Sequence, residues 1–341
     1  MLKTENTDIL IVGQGLAGTL LSYHLYKKNI NHKVVDVTKE GAASRVAAGL
    51  INPIAIKRVS KTWQADIFHP YANTTYDEIE AMLQTRFYYP LPIYKIYGKD
   101  DAQFWQHRLI KSELDDYISV KPDTKLPEKI NQPFKFGALK KCGRLDMTTL
   151  LDSYRHFLKN QNKIIEAPFN DRDVEVNLDG VKWQNIKAKR LIFCRGSFDA
   201  QSHFFKHLKW NNTKGELLNV CIEQLHLNSI LSKGVFVMPV GDRQFKIGAT
   251  YSHSWENLEP TEEKRQELLQ KWSVMSDLPL TITKQLTGIR PTLADRRPVY
   301  GFLEDQPNIG IFNGLGSRGG LMAPYLAHEM ATKVMNQLNN L

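Results

Sequence analysis

Three glycines, Gly13, Gly15 and Gly18, fall within six positions directly after the apolar run Ile9, Leu10, Ile11 and Val12. None of them reacts, but the spacing suits the binding of a phosphate-bearing cofactor. Gly13 permits a sharp turn, Gly15 lets backbone approach a pyrophosphate with no Cβ between them, and Gly18 lets a helix pack closely on a strand. Leu16 and Ala17 then open that helix, and its free N–H groups and positive dipole end face the phosphates. Asp36 stands 23 residues after Gly13, where its carboxylate can accept hydrogen bonds from a ribose hydroxyl. A 2′-phosphate would be repelled there, which argues against NADP.

A second group of residues lies far along the chain. "NIGIFNGLGSRGGLMAPYLAHEM" contains Gly314, Gly316, Ser317, Arg318, Gly319 and Gly320 ahead of Ala323, Ala327 and Ala331. It reads as a strand, a glycine turn and a helix, with alanines at i, i+4 and i+8 for close packing and Pro324 expected within about the first turn. A glycine-rich helix N-terminus offers positive potential, which suits the negative charge of a reduced flavin.

The elements positioning these residues follow from periodicity. Residues 8–12 are a continuous apolar run, as in a strand covered on both faces. Leu16, Ala17, Leu20, Leu21 and Leu25 recur at helical spacing, Lys27, Lys28 and Asn29 suit the helix end, and "HKVVDV" resumes as a strand. Regular strand–helix alternation then stops, unlike a plain NAD dehydrogenase. In its place comes "GAASRVAAGLINP", whose small residues around Ser44, Arg45, Ala48 and Gly49 would let a loop lie flat against a planar ring. FAD is the expected cofactor. "SKGVFVMPVGD" followed by "RQFKIGATYS" reads as a hairpin, and "RDVEVNLDGVKWQNIKAKRLIFC" as two strands about an Asp-Gly turn, then a buried strand running to Gly196, which would let backbone come near the cofactor.

The 341 residues fit one large domain or two intertwined ones, 42% of them hydrophobic and 24% charged. No run is long enough to cross a bilayer, and a buried strand within eight residues of the start leaves no room for a secretion signal. The three cysteines, Cys142, Cys194 and Cys221, lack CxxC spacing, so neither a disulfide framework nor a zinc site is indicated and a cytoplasmic location is expected. The formal charge of +9 has no basic block behind it and reads as scattered surface lysine.

In order and spacing these segments, with "GRLDMTTLLDSY", "LIFCRGSFD" and "KGELL", resemble the D-amino acid oxidase family of FAD-dependent amine oxidoreductases, which includes glycine oxidase and sarcosine oxidase. "GLGSRGG" alone also resembles the oxidase half of a bifunctional enzyme of tRNA wobble-uridine modification. The family implies an α/β (α+β) fold: a discontinuous Rossmann-like FAD-binding domain (1–55, 140–210 and 286–341) with an inserted, mostly antiparallel β-sheet substrate domain (56–139 and 211–285). It implies oxidation of the C–N bond of an amino acid or N-substituted amino acid, a small amine with a carboxylate, by hydride transfer to flavin N5. Oxygen, a quinone or a carrier protein would accept the electrons.

In such a site Arg290, in "GIRP", falls where glycine oxidase-like members place a carboxylate-binding arginine. Arg318 would touch flavin or substrate, Tyr251 would border the site, and His253 would deprotonate the amine. His69, Trp63 and Lys61 are further pocket candidates. Phe236 stands where such members carry a tyrosine, which favours a larger or more apolar substrate than glycine. No cysteine lies near the C-terminal cluster, so FAD is expected to be non-covalent. Two alternatives remain: a flavoenzyme acting on carboxymethylaminomethyl-uridine of tRNA, and a non-catalytic dinucleotide-binding protein. "IKRVSK", "KK" at 140–141 and "KAKR" modestly favour the tRNA reading.

Overall fold

The computed structural model describes residues 4–339. Two eight-stranded sheets organise the chain. The first runs Ile164–Ile165, His32–Val35, Glu5–Val12, Ile186–Phe193, Gly180–Trp183 and Val174–Asn177. Ile309–Asn313 pairs in parallel with the C-terminal half of Ile186–Phe193 and carries Val299–Phe302 antiparallel on its far side. Glu5–Val12 pairs in parallel with both neighbours, and Ile9, Leu10 and Ile11 are fully buried, as the unbroken apolar run requires. Helix Leu16–Lys27 follows and ends before Asn29, whose φ of 56° is left-handed. The α/β expectation holds.

Helices cover this sheet through one core that joins Leu20, Leu21 and Leu25 to Phe68, Ala72, Tyr76 and Ile79 of helix Ala65–Leu83 and to Ala323, Ala327 and Ala331 of helix Gly319–Asn339. Pro324 is the sixth residue of the last helix, beyond the first turn. The carbonyl it leaves without an amide is that of Gly320, four residues earlier. Tyr76 Oη–H donates to that carbonyl at 2.7 Å, so the helix continues through the proline.

The second sheet runs Thr281–Arg290, Thr213–Cys221, Gln244–Gly248, Val235–Gly241, Ile230–Lys233, Ile93–Ile96, Phe136–Leu139 and Ile118–Ser119, and only the pairing of Ile230–Lys233 with Ile93–Ile96 is parallel. The anticipated hairpin forms about Asp242 and Arg243. "SKGVFV" is itself a tight turn at Gly234, with Lys233 opposite Val235. Period two sorts the faces. Leu218, Val220, Val237, Phe245 and Ile247 pack under Leu268 and Trp272 of helix Glu262–Ser273. Leu217, Asn219, Phe236, Met238 and Lys246 therefore face the other way, where Phe236 and Met238 join a cluster with Leu50, Ile54 and Ile93. A three-stranded sheet of Leu50–Ile51, Gly143–Leu145 and Tyr88–Pro90 bridges the two.

Two histidines beside the first sheet are buried in the neutral form. His32 Nδ1–H donates to the Ile30 carbonyl at 2.9 Å and Nε2 lies 2.8 Å from Ser22 Oγ; burial holds its pKa down to about 4. Burial, and then His328, hold His24 down to about 3, while its bond to the Pro324 carbonyl pulls the other way. Each folded pKa lies below the unfolded 6.5, so the unfolded chain binds the extra proton. Stability is therefore full above about pH 6.5 and is lost as pH falls, by about 2 kcal/mol per histidine at pH 5. Urea unfolding should show this fall between pH 7 and 5, and His32→Gln should flatten it; an unchanged slope in that variant would contradict the assignment.

Candidate active site

The glycine bend behaves as three different positions. Gly13 has a φ of +102°, and a Cβ there would lie 2.7 Å from the Cys194 carbonyl oxygen. A Cβ on Gly18 would lie 1.8 Å from the Gly13 carbonyl oxygen, so this glycine is set by packing. A Cβ on Gly15 would meet nothing nearer than Ser44 Oγ, at 3.2 Å, so its backbone face is open. Gly15 caps the helix with no side-chain bond, and the first turn, with Leu16 and Ala17, carries no acid. An open backbone face before a helix start with no acid in its first turn fits a pyrophosphate. Ser44 is drawn to the same bend, its Oγ accepting from the Leu16 N–H at 3.1 Å.

Asp36 stands beside this bend. One carboxylate oxygen accepts from the Gln14 N–H at 2.9 Å and the other from Arg155 at 2.8 Å. Arg155 was not anticipated. It also donates to Gln14 Oε1 and to Glu166, and so ties helix Met147–Asn160 to the bend. Two oxygens with four acceptor sites still leave room for a ribose hydroxyl. Arg45 turns away from the bend and pairs with Asp152.

The late bend meets the early one. A Cβ on Gly319 would lie 3.1 Å from Leu16 Cδ2, and one on Gly320 3.3 Å from Ile51. Gly196, Gly314 and Gly316 all hold positive φ, at 62°, 77° and 55°. The turns at Gly196 and Gly314 are fixed by Asn313, whose Nδ2 donates to the Gly196 carbonyl at 2.8 Å and to Asp199 at 2.7 Å, while its Oδ1 accepts from the Gly314 N–H. Asp199 is fully buried and also accepts from Arg195 Nε at 2.6 Å; burial raises its pKa against the pull of that arginine. Ser317 is exposed at the tip. Ala48 packs with Leu50 and Ile54 in the loop, and Gly49 (φ +76°) presses its backbone on Leu145.

Arg290 enters this space at the end of strand Thr281–Arg290. Its guanidinium lies flat over Gly215, where a Cβ would be 2.2 Å from Nη2, and under the Tyr251 ring at 4.1 Å. Nη2 donates to the Thr250 carbonyl at 3.2 Å, but Nη1 is buried with no partner. A buried guanidinium N–H without an acceptor costs about 1–3 kcal/mol, which a bound anion would offset. Arg318 donates to the Asn52 carbonyl at 3.0 Å, and burial lowers its pKa and that of Arg290, while Tyr251 raises both. The Gly316 N–H donates to the Pro291 carbonyl at 2.9 Å and joins the two arginine-bearing segments.

His253 is exposed, with no hydrogen bond to its ring. Lys61 pairs with Asp66, Trp63 stacks under Arg297 at 4.3 Å, and His69 has its pKa lowered by burial. Phe236 faces the site, its ring 3.0 Å from the Cβ position of Gly248. Among the described residues no group of three or more His, Cys, Asp or Glu is placed to hold a metal ion, and no helix is long and apolar enough to cross a membrane.

Comparison with known proteins follows the same lines. The chain is 30% identical over 119 residues to the tRNA 5-methylaminomethyl-2-thiouridine biosynthesis bifunctional protein of Idiomarina loihiensis, a match covering 34% of this chain and 19% of that protein's length. It is 21% identical over 362 residues to glycine oxidase of Bacillus subtilis, covering 97% of this chain and 93% of the relative. The crystal structure of iminodiacetate oxidase from Chelativorans sp. BNC1 superposes with a TM-score of 0.78 at 17% identity, over 96% of this chain and 95% of that one. Residues 8–333 match the family described as FAD dependent oxidoreductase, and the chain, an enzyme that uses FAD, belongs to that family.

Proposed function

We propose that the protein oxidises the C–N bond of an amino acid or N-substituted amino acid, with the substrate carboxylate on Arg290. The unpartnered, buried Nη1 of Arg290 carries this reading, because a planar guanidinium fixed between Gly215 and Tyr251 presents a ready-made carboxylate seat. Bound FAD would supply the two-electron acceptor for the hydride leaving the substrate α-carbon. Gly15, Leu16, Ser44 and the helix start they form would hold its pyrophosphate, Asp36 its ribose, and the backbone at Gly49, Gly196 and Gly314–Gly320 its ring end.

The chain's own work is then placement. Arg290 fixes the carboxylate, Arg318 stiffens the contact between loop and late bend, and the Tyr251 ring covers the guanidinium and limits water. We assign no proton transfer to His253, since the amine need only be neutral when the hydride leaves. Water then adds to the imine product. N-ethylglycine should give glyoxylate and ethylamine in equal amounts; glycine and acetaldehyde would show oxidation on the wrong carbon. Cys142 and Cys194 are buried and Cys221 is partly exposed at the end of strand Thr213–Cys221, so acid denaturation should release the yellow flavin from the polypeptide. Flavin retained on the chain would contradict a dissociable cofactor.

A second reading takes the amine to be the carboxymethylaminomethyl group of a tRNA uridine. The match to the bifunctional tRNA protein favours it. Binding of tRNA that weakens steeply with salt would support it, and no binding at low salt would remove it.

A further inference from the structure

Arg144 lies in strand Gly143–Leu145, opposite Leu50 on one side and Tyr89 on the other, and its guanidinium stacks on the Tyr89 ring at 4.2 Å. The side chain is 10% exposed, Nε is buried without a partner, and the nearest carboxylate oxygen, on Asp146, stands 3.6 Å from Nη1. Asp146 is already engaged in capping helix Met147–Asn160 through the Thr149 N–H. Facing this wall, across from Leu50, is the inward side of the second sheet, where Phe236 and Met238 pack with Leu50. Lys246 is the cross-strand partner of Met238 and of Asn219. Among the described residues no hydrogen bond or ion pair forms at its ammonium, and Asn219 Oδ1, on the residue opposite it, is buried with no donor. Burial lowers the Lys246 pKa, Asp146 raises it, and Arg144 lowers it, so the two cations sense one another.

Two buried or half-buried cations against one shared carboxylate make a net positive seat with no internal occupant. We propose that Arg144 and Lys246 hold a second anionic group of the substrate, a carboxylate or a phosphate, at the far end of an extended arm. The inference rests on the reading that Arg290 holds the first carboxylate. Thr213 pairs with Arg290 and Asn219 with Lys246, so six residues of one strand separate the two anchoring rows, about 20 Å between backbones. The reach of the long side chains shortens the gap between the anions. Leu217 and Phe236, both opposite Gly248, stand in the row between, which suits an apolar spacer and gives the apolar ring at position 236 a role.

The test compares N-(ω-carboxyalkyl)glycines and N-(ω-phosphonoalkyl)glycines of increasing arm length with N-alkylglycines of the same length, using the FAD-loaded enzyme. The charged member should exceed its neutral partner in kcat/KM by tenfold or more, with the greatest preference at arms longer than one methylene. The carboxylate and phosphonate arms decide which anion is native. In Arg144→Met, and independently in the half-exposed Lys246→Met, the charged-to-neutral ratio should fall to within about threefold. Straight-chain α,ω-dicarboxylates, which carry no amine, should perturb the flavin spectrum with lower Kd than monocarboxylates of equal length, and the same variants should erase the difference. Oxidation of N-alkylglycines with no charged preference at any length would overturn the second seat alone. Failure of every glycine derivative to reduce or perturb the flavin would instead overturn the amine-oxidising reading beneath it.

Discussion

Replacing Arg290 with Met is expected to lower kcat/KM for a carboxylated amine by about 10³-fold while leaving FAD bound. A carboxylate on a guanidinium accepts two charge-assisted hydrogen bonds, each worth about 1.5–3 kcal/mol, and losing the pair removes roughly 4 kcal/mol. At about 1.4 kcal/mol per decade that is three powers of ten. The protein itself asks little of this side chain. Its single internal hydrogen bond goes to the Thr250 carbonyl and its stacking partner Tyr251 is 58% exposed, so the fold should tolerate the change. Arg290→Lys should fall between the two, because it keeps the charge and loses the planar fork. A loss within about threefold, with flavin content unchanged, would show that Nη1 meets something other than the substrate.

Gly15→Val and Gly18→Val should fail in different ways. At position 18 the added Cβ would stand 1.8 Å from the Gly13 carbonyl oxygen, a collision with backbone that only separation of helix from strand relieves. Little folded protein is expected. At position 15 the only near neighbour is the movable Ser44 hydroxyl at 3.2 Å, so the chain should fold, and the branched side chain would occupy the space meant for the pyrophosphate. Its FAD affinity should drop by about 100-fold or more, nearly 3 kcal/mol, with circular dichroism unchanged. Equal flavin content in Gly15→Val and the parent would place the phosphates elsewhere.

These contrasts show what the sequence carried. Gly13, Gly15, Gly18 and Asp36 lie in a local pattern, a strand into a turn into a helix, whose spacing states its purpose within a few dozen residues, whereas Arg290 came from the family resemblance of "GIRP". Arg155 on Asp36 bridges 119 positions and Asn313 on Asp199 bridges 114, and no periodicity links such pairs. Pro324 was expected in the first turn because a proline deeper in a helix costs a hydrogen bond. Tyr76, 244 positions earlier than the carbonyl it serves, removes that cost. Arg144 did leave a trace: it is the one charged residue of a strand whose three members are all buried. That signal is readable only once the strand is known to be covered on both faces. Arg45, chosen for the cofactor loop, pairs with Asp152, and His253, chosen as the amine's base, is exposed.

The most direct test of the central claim, that the two glycine bends and Arg290 form one site where a carboxylated amine meets FAD, is an anaerobic titration of the yellow protein with N-alkylglycines and amino acids. The account predicts that at least one member bleaches the visible flavin band in a one-to-one reaction in the parent, and that Arg290→Met needs far higher concentrations for the same change. A flavin that stays oxidised across the whole series, or bleaches equally well in both proteins, would contradict it.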